Sequence, residues 1–277
     1  MKVEAPAKLN LSLRIAEKRP DGFHELDTLM VPLPGLTDEL DVEGAEEFSF
    51  SCDDPAVPSD ESNLVVQAVR LFEQRTGRTC RYAIRLAKRI PSGAGLGGGS
   101  SDAAAILAVM EILEDTGLGR DDLHELAARL GSDVPFFLRQ GACRCRGRGE
   151  VLEDASVEAF PVLLLKPGFG VSTPDAYGRW RESRQLAGVR YDPQGLDGMD
   201  LVNDLERPVF EKFPFLAEMK TWLLAQPGVR AALMSGSGAT VFAVLADDGD
   251  GEALAEAARR DLDPGLWSWT GETGGAR

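Results

Sequence analysis

The sequence predicts an α+β protein of two domains, and three patterns carry that expectation. Strand-like and helix-like stretches mingle along 277 residues without the regular βαβ alternation of a doubly wound sheet. A glycine-rich run at residues 93–99 sits between a strand pattern and a helix pattern. A second strand, glycine turn and strand fill residues 231–245. The length suffices for two ordinary cores, and composition shifts after Glu150, so the division is placed at residues 1–155 and 156–277.

The elements follow in order. Leu9, Leu11, Leu13 and Ile15 alternate with Lys8, Asn10, Ser12 and Arg14, the period of a half-buried strand with Lys8 and Asn10 on one face. Arg19, Pro20, Asp21 and Gly22 signal a turn, and an apolar stretch from Phe23 and His24 to Leu33 continues as the paired strand. A helix capped by Ser62 carries Val65, Ala68, Val69 and Phe72 and closes at Gly77. Tyr82, Ile84 and Leu86 alternate into the glycine run; Ile106, Met110 and Leu113 then recur at helical spacing. A second helix covers residues 121–130 and stops at Gly131, with a short strand near residues 141–146. Residues 161–166 read as a buried strand and residues 168–198 as a polar loop with room for a lid or recognition segment. Residues 201–224 read as helical, residues 252–260 as an alanine-rich helix, and the tail from Trp267 to Arg277 as partly disordered.

Charge and cysteine usage exclude several classes. A formal charge of −15 argues against nucleic acid or a membrane surface as partner. No apolar run has the length of a membrane span and no secretory leader is evident, so a cytoplasmic location is expected. Cys52, Cys80, Cys143 and Cys145 lack the paired spacing of a zinc site; Cys143 and Cys145 share one side of a strand and read as small interior residues.

The glycine run carries the chemistry. Pro91, Ser92, Gly93, Ala94, Gly95, Leu96, Gly97, Gly98, Gly99, Ser100 and Ser101 lead directly into a helix. Glycines let successive amides line a concave nest, and the helix start adds its dipole and free N–H donors, which together cradle phosphate. Arg85, Lys88 and Arg89 stand just before the run; they either supply positive charge to the cradle or form a solvated strand face. No lysine follows the glycines, so the common P-loop is excluded, and the protein-kinase motif set is absent. Ser100, Ser101 and Asp102 either contact phosphate or magnesium or cap the helix.

Residues 91–105, together with residues 5–11 and the Met234 to Thr240 turn, resemble the three motifs of the galactokinase, homoserine kinase, mevalonate kinase and phosphomevalonate kinase superfamily, in the same order. The resemblance implies a two-domain kinase with its site in the inter-domain cleft, ATP as donor and magnesium with the nucleotide. Arg19 to His24 and Gly131 to Pro135 narrow it to the branch whose acceptor is a cytidine-diphosphate-linked methylerythritol, phosphorylated on its 2-hydroxyl. It further implies Asp133 as general base, although an Asp before Val134 and Pro135 also reads as a helix cap. Lys8 is implied as its partner, since a nearby opposite charge favours the ionised carboxylate, with Asn10 positioning substrate. Phe23, His24 and Tyr177 are implied as the cytidine pocket, the two rings sandwiching the pyrimidine and His24 reading its edge. Where the family usually has Tyr, this chain has Phe23, which keeps the ring and loses the hydroxyl. Asn63 resembles an adenine-contacting residue, or is simply a first-turn residue. A different acceptor, such as homoserine or a mevalonate derivative, and a non-catalytic nucleotide binder are the competing readings.

Overall fold

The computed structural model describes residues 1–139 and 141–275. Its first half opens with two long antiparallel strands, β1 (Lys2–Lys18) and β2 (His24–Gly44). Next come β3 (Ser49–Cys52), α1 (Leu64–Thr76) and β4 (Tyr82–Ala87), the helix crossing over between parallel strands. Three helices follow, α2 (Gly98–Glu114), α3 (Arg120–Leu130) and the single turn α4 (Val134–Phe137). A hairpin of β5 (Cys143–Gly147) and β6 (Val151–Asp154) closes this half. The second half holds β7 (Pro161–Lys166), α5 (Thr173–Arg179), β8 (Gln194–Leu196), β9 (Met199–Asn203), α6 (Glu206–Lys212) and α7 (Pro214–Leu224). It ends with β10 (Val229–Met234), β11 (Val241–Leu245), α8 (Gly251–Asp261) and β12 (Trp267–Glu272).

Two sheets organise these elements. The first runs β3-β4-β2-β1-β9-β8, with β5 paired onto β2 and β6 onto β5. The second is antiparallel in the order β10-β11-β7-β12. Between the sheets lies a core holding Leu9, Leu11, Val31, Leu164, Leu233 and Phe242. A second core packs α1 and α2 on the first sheet through Val69, Phe72, Ile106 and Met110, and a third packs the C-terminal helices on the other face of the second sheet. The second sheet is thus covered on both faces, which is why β7 and β11 are continuous apolar runs rather than alternating ones. Each large side chain so buried stabilises the fold by about 1.5–3 kcal/mol before the entropy of ordering is subtracted.

Several expectations are corrected. Asn63, not Ser62, caps α1, its side chain accepting from Val65 N at 2.8 Å, while Ser62 turns to Asp60. Leu113 ends on the exposed side of α2, because its helix leaves the core there. Residues 201–203, expected as the start of a helix, belong instead to β9, where Val202 and Asn203 pair in parallel with Ser12 and Leu13 of β1. The loop at 168–198 contains the short helix α5 and strand β8. The tail is structured as β12, which pairs along β7 and ends with Gly274 N donating to Pro32 O at 2.8 Å in the first sheet. Residues 276–277 of that tail lie outside the described residues.

Because β12 both edges the second sheet and ties it to β2, truncation after Gly265 is expected to lower the melting temperature by roughly 10 °C or more, or to prevent soluble folding. A thermal melt checks this; a truncated chain melting with the intact one would contradict the assigned role.

Candidate active site

A cleft of about 940 Å³ lies where the first sheet, the start of α2 and the β10–β11 turn converge. Its floor is the glycine loop. Gly95, at φ +73°, packs so tightly that a Cβ would sit 2.2 Å from Ser235 O; at Gly97, φ +74°, it would sit 2.9 Å from the Phe137 ring. Only glycine fits both the handedness and the space. Gly97 stands at the N-cap of α2 and offers no side chain to the helix amides, which leaves them available to a ligand. The β10–β11 turn closes over the loop: Ala239 N donates to Gly93 O, Thr240 N to Ala94 O and Ser235 Oγ to Gly95 O, at 3.0–3.2 Å.

Lys8 enters from β1 and is almost wholly buried, as is Asn10, while Ser12 and Arg14 further along the same polar face are half-buried and exposed. Its backbone amide donates to Leu96 O at 3.0 Å, and its Nζ donates to Gly95 O at 2.9 Å and to Asn10 Oδ1. Asn10 in turn donates to Thr28 Oγ1 at 2.8 Å, fixing which carboxamide end faces the lysine. Asp133 Oδ2 stands 3.6 Å from Lys8 Nζ. Asp133 occupies the N-cap position of α4, yet its side chain makes no capping hydrogen bond. Helix capping therefore does not account for it.

A second cationic centre lies under the loop. Lys88 Nζ is paired with Asp102 at 2.9 Å and with Asp38, all three side chains being buried. Asp38 also accepts from Arg89 N and Ile90 N at 2.6 and 2.9 Å, which orders the chain entering the loop. Burial drives the Asp102 carboxyl up to about 7, against the opposing pull of Lys88, with Asp38 adding to the rise. Asp102 Oδ1 and Ser101 Oγ are buried without hydrogen-bond partners. Of the three cations expected near the loop, only Lys88 lines the cleft; Arg85 and Arg89 are exposed and paired with Glu43 and Asp53.

At the other end stand the aromatics. His24 and Tyr177 stack on one another, ring centres 5.8 Å apart, and Phe23 stands apart, half exposed, with Arg148 5.0 Å from its ring centre. Tyr177 thus rests on His24 rather than facing Phe23. Burial, then the charges of Lys18 and Arg181, lower the His24 pKa, so its imidazole is neutral at pH 7.

Lys8, Asn10, Phe23, His24, Asn63, Asp133, Tyr177 and residues 91–100 all line this one cleft; Ser101 does not and faces the interior. Asn63 reaches the cleft wall while its side chain is engaged by Val65 N and Pro58 O. Sequence reasoning missed Asp38, Thr28, Arg148 and the Thr173–Ser237 hydroxyl pair at 2.7 Å. Cys143 and Cys145 are packed with Met30 and Phe136 in a small apolar core. Among the described residues no helix is long and apolar enough to cross a membrane.

Comparison with known proteins agrees with this geometry. Residues 63–141 match the GHMP kinases N terminal domain and residues 178–263 the GHMP kinases C terminal domain. The fold, the glycine cradle and the paired domains make the chain a GHMP kinase. Similar proteins include the 4-diphosphocytidyl-2-C-methyl-D-erythritol kinases of Methylacidiphilum infernorum, 42% identical with 95% of this chain and 93% of the relative covered, and of Prosthecochloris aestuarii, 40% identical with 92% of each covered. A crystal structure of 4-(cytidine 5'-diphospho)-2C-methyl-D-erythritol kinase superposes with a TM-score of 0.79 at 35% identity, both chains covered in full. The chain belongs to the 4-diphosphocytidyl-2-C-methyl-D-erythritol kinase family. Homoserine kinase from Cytophaga hutchinsonii, at 18% identity, TM-score 0.69 and coverage of 99% and 94%, shares the fold.

The Asp102 environment has a consequence for stability. Below about pH 4 folded and unfolded chains both hold this proton; between about 4 and about 7 only the unfolded chain releases it, so Asp102 makes stability fall as pH rises across that window and adds no slope above it. Asp102→Asn is expected to remove this slope while Asp38 still pairs with Lys88. Thermal melts of both proteins across the window check it, and parallel curves would contradict it.

Proposed function

We propose that the cleft transfers the γ-phosphoryl group of ATP to the 2-hydroxyl of 4-(cytidine 5'-diphospho)-2-C-methyl-D-erythritol, a step of the non-mevalonate isoprenoid route. The observation that carries the reading is the Lys8–Asp133 pair, set between a phosphate cradle and an aromatic pocket in one continuous cleft. Acceptors such as homoserine or mevalonate have no base for Phe23, His24 and Tyr177 to engage. A non-catalytic nucleotide binder has no need of the carboxylate, and here lysine and carboxylate are both present and adjacent.

In the proposed reaction the nucleotide phosphates lie on the amides of residues 93–100 at the start of α2. The adenine lies toward Asn63 and the apolar wall of Val57, Pro58 and Leu64. The cytosine engages Phe23 and Tyr177, while neutral His24 offers one donor and one acceptor to its edge. This requires the Tyr177 ring to move off His24. Asp133 accepts the proton of the attacking hydroxyl as the new O–P bond forms and the bond to the ADP oxygen breaks, an assistance worth about 10²–10⁴-fold. Lys8, anchored by Gly95 O and Asn10, holds both the carboxylate and the hydroxyl in line. Residues 1–155 thus supply nucleotide site and base, and residues 156–277 supply Tyr177 and the closing turn, with β8 and β9 crossing back into the first sheet.

Magnesium belongs to the same proposal. No group of three His, Cys, Asp or Glu side chains gathers as a cation cluster among the described residues. The oxygen on offer is Asp102 Oδ1, unpartnered in the cleft wall, which suits an ion held mainly by phosphate oxygens with one protein carboxylate. When bound it neutralises charge between the transferring and leaving groups.

Coupled ADP release should appear with ATP and the cytidylyl acceptor and not with homoserine or mevalonate; turnover of mevalonate alone would overturn the reading. Asp133→Asn should lower kcat by roughly 10² or more while ATP affinity, measured by calorimetry, stays within about threefold. Unchanged turnover in that variant would remove Asp133 from the mechanism.

A further inference from the structure

The β10–β11 turn lies directly over Lys8 and Asn10, and its height there is set from outside the cleft. A Cβ on Gly236 would come within 3.1 Å of Asn10 Oδ1 and 3.2 Å of Lys8 Nζ, so a small shift of the turn alters what the lysine touches. Asn203, buried at the end of β9, donates through Nδ2 to both Met234 O and Gly236 O at 2.7 Å, and its Oδ1 accepts from Leu205 N at 2.9 Å. Glu206 accepts from Met234 N at 2.9 Å and pairs with the buried Lys220 at 2.6 Å. Asp204, between them, accepts from Ile15 N at 2.7 Å and donates its amide to Leu13 O at 2.9 Å. Residues 203–206 therefore tie β1, which carries Lys8, to the turn that faces it. Asn203, Asp204 and Glu206 do not themselves line the cleft.

We infer that Asn203 is a positioning residue for phosphoryl transfer, its carboxamide setting Gly236 against Lys8 and Asn10. The inference rests on the kinase reading above. A carboxamide is what the place requires, because two carbonyl oxygens need donors and one amide needs an acceptor within a single short side chain. Aspartate has the same shape, but it turns a carboxylate oxygen onto two carbonyl oxygens and pushes the turn away. Misplacement of reacting groups by about 1 Å lowers turnover by about 10²-fold.

Gln194 supplies a matched control. It is equally buried, donates to Ala232 O at 2.8 Å and accepts from Ala232 N at 3.1 Å, the same kind of bond to the same strand but placed before the turn, with no bond to Met234 or Gly236. The test compares Asn203→Asp with Gln194→Glu by amide hydrogen exchange across residues 234–240 and by steady-state kinetics. In Asn203→Asp, exchange of the turn is expected to rise about tenfold or more and kcat to fall about tenfold or more, with both KM values within about threefold. Gln194→Glu is expected to leave exchange of the turn and kcat within about threefold of the parent. Parent-like exchange or kcat in Asn203→Asp, or equal losses in Gln194→Glu, would overturn the inference. If Asn203→Asp does not fold, Asn203→Ser takes its place with about fivefold changes expected, and parent-like values overturn the inference equally. Should the parent chain fail to turn over the cytidylyl acceptor, the functional reading falls. The exchange comparison still decides how the turn is held.

Discussion

The carbonyl oxygen of Gly95 accepts hydrogen bonds from Lys8 Nζ at 2.9 Å and from Ser235 Oγ at 3.0 Å, and much of the cleft follows from that meeting. It joins three stretches far apart in the chain: β1, the glycine loop and the β10–β11 turn. The approach is possible because residue 95 carries no side chain in a space that Ser235 O already fills. Two backbone segments packed this closely hold each other's carbonyls and amides in place, so the phosphate cradle is shaped by its own scaffold before a ligand arrives. It also makes the two sheets interdependent, since the loop enters from the first and the turn belongs to the second.

A chain of charge −15 binds polyphosphate by this reading, and the structure shows how the two facts are compatible. Most of the acidic excess lies on the exterior, where solvent screens it. The phosphate-facing surface is made of backbone amides, whose partial charges do not appear in a count of ionisable residues. The nearby acidic groups Asp38 and Asp102 are each engaged with Lys88. Removing Lys88 from this buried set would leave carboxylate charge uncompensated, at a cost of about 3–5 kcal/mol, so these pairs fix the entrance to the loop more firmly than surface pairs such as Arg89–Asp53 do.

Local pattern made much of this legible. The glycine loop shows its phosphate-binding chemistry in a few contiguous residues, whereas roles for Lys8, Asn10 and Asp133 were implied by the resemblance of their segments to family motifs. What depended on tertiary partners was not legible. Asp38 lies beyond the apolar stretch that ends at Leu33, and only the fold brings Lys88 to it. Residues 201–203 read as helix because their strand partner is β1, 190 residues earlier, and long-range parallel pairing leaves no local signal. The C-terminal tail has few aliphatic residues, yet Trp267 and Trp269 pack on the inter-sheet core once β7 provides an edge. Asn203 went unnoticed for a related reason. It falls inside the stretch read as helical, and nothing in its neighbourhood tells that its amide reaches Met234 and Gly236.

Two lysines border the same cleft, and their partners assign them different work. Lys88 is clamped between two buried carboxylates, so its charge is largely neutralised locally and what it contributes is structural. Lys8 is held chiefly by neutral oxygens, the Gly95 carbonyl and the Asn10 carboxamide, and its carboxylate neighbour stands off at 3.6 Å. That separation is beyond a hydrogen bond yet close enough for a strong attraction. Asp133 consequently keeps its oxygen lone pairs uncommitted on a side chain that is partly open to the cleft, with the ammonium beside it as a restraint. A carboxylate locked in a short bidentate pair would have the charge without the free lone pair. A carboxylate with no cation nearby would have the lone pair without the restraint. In the reaction proposed above the base must receive a proton late in phosphoryl transfer and needs both, and the neutral cradle around Lys8 is what would let one residue have them.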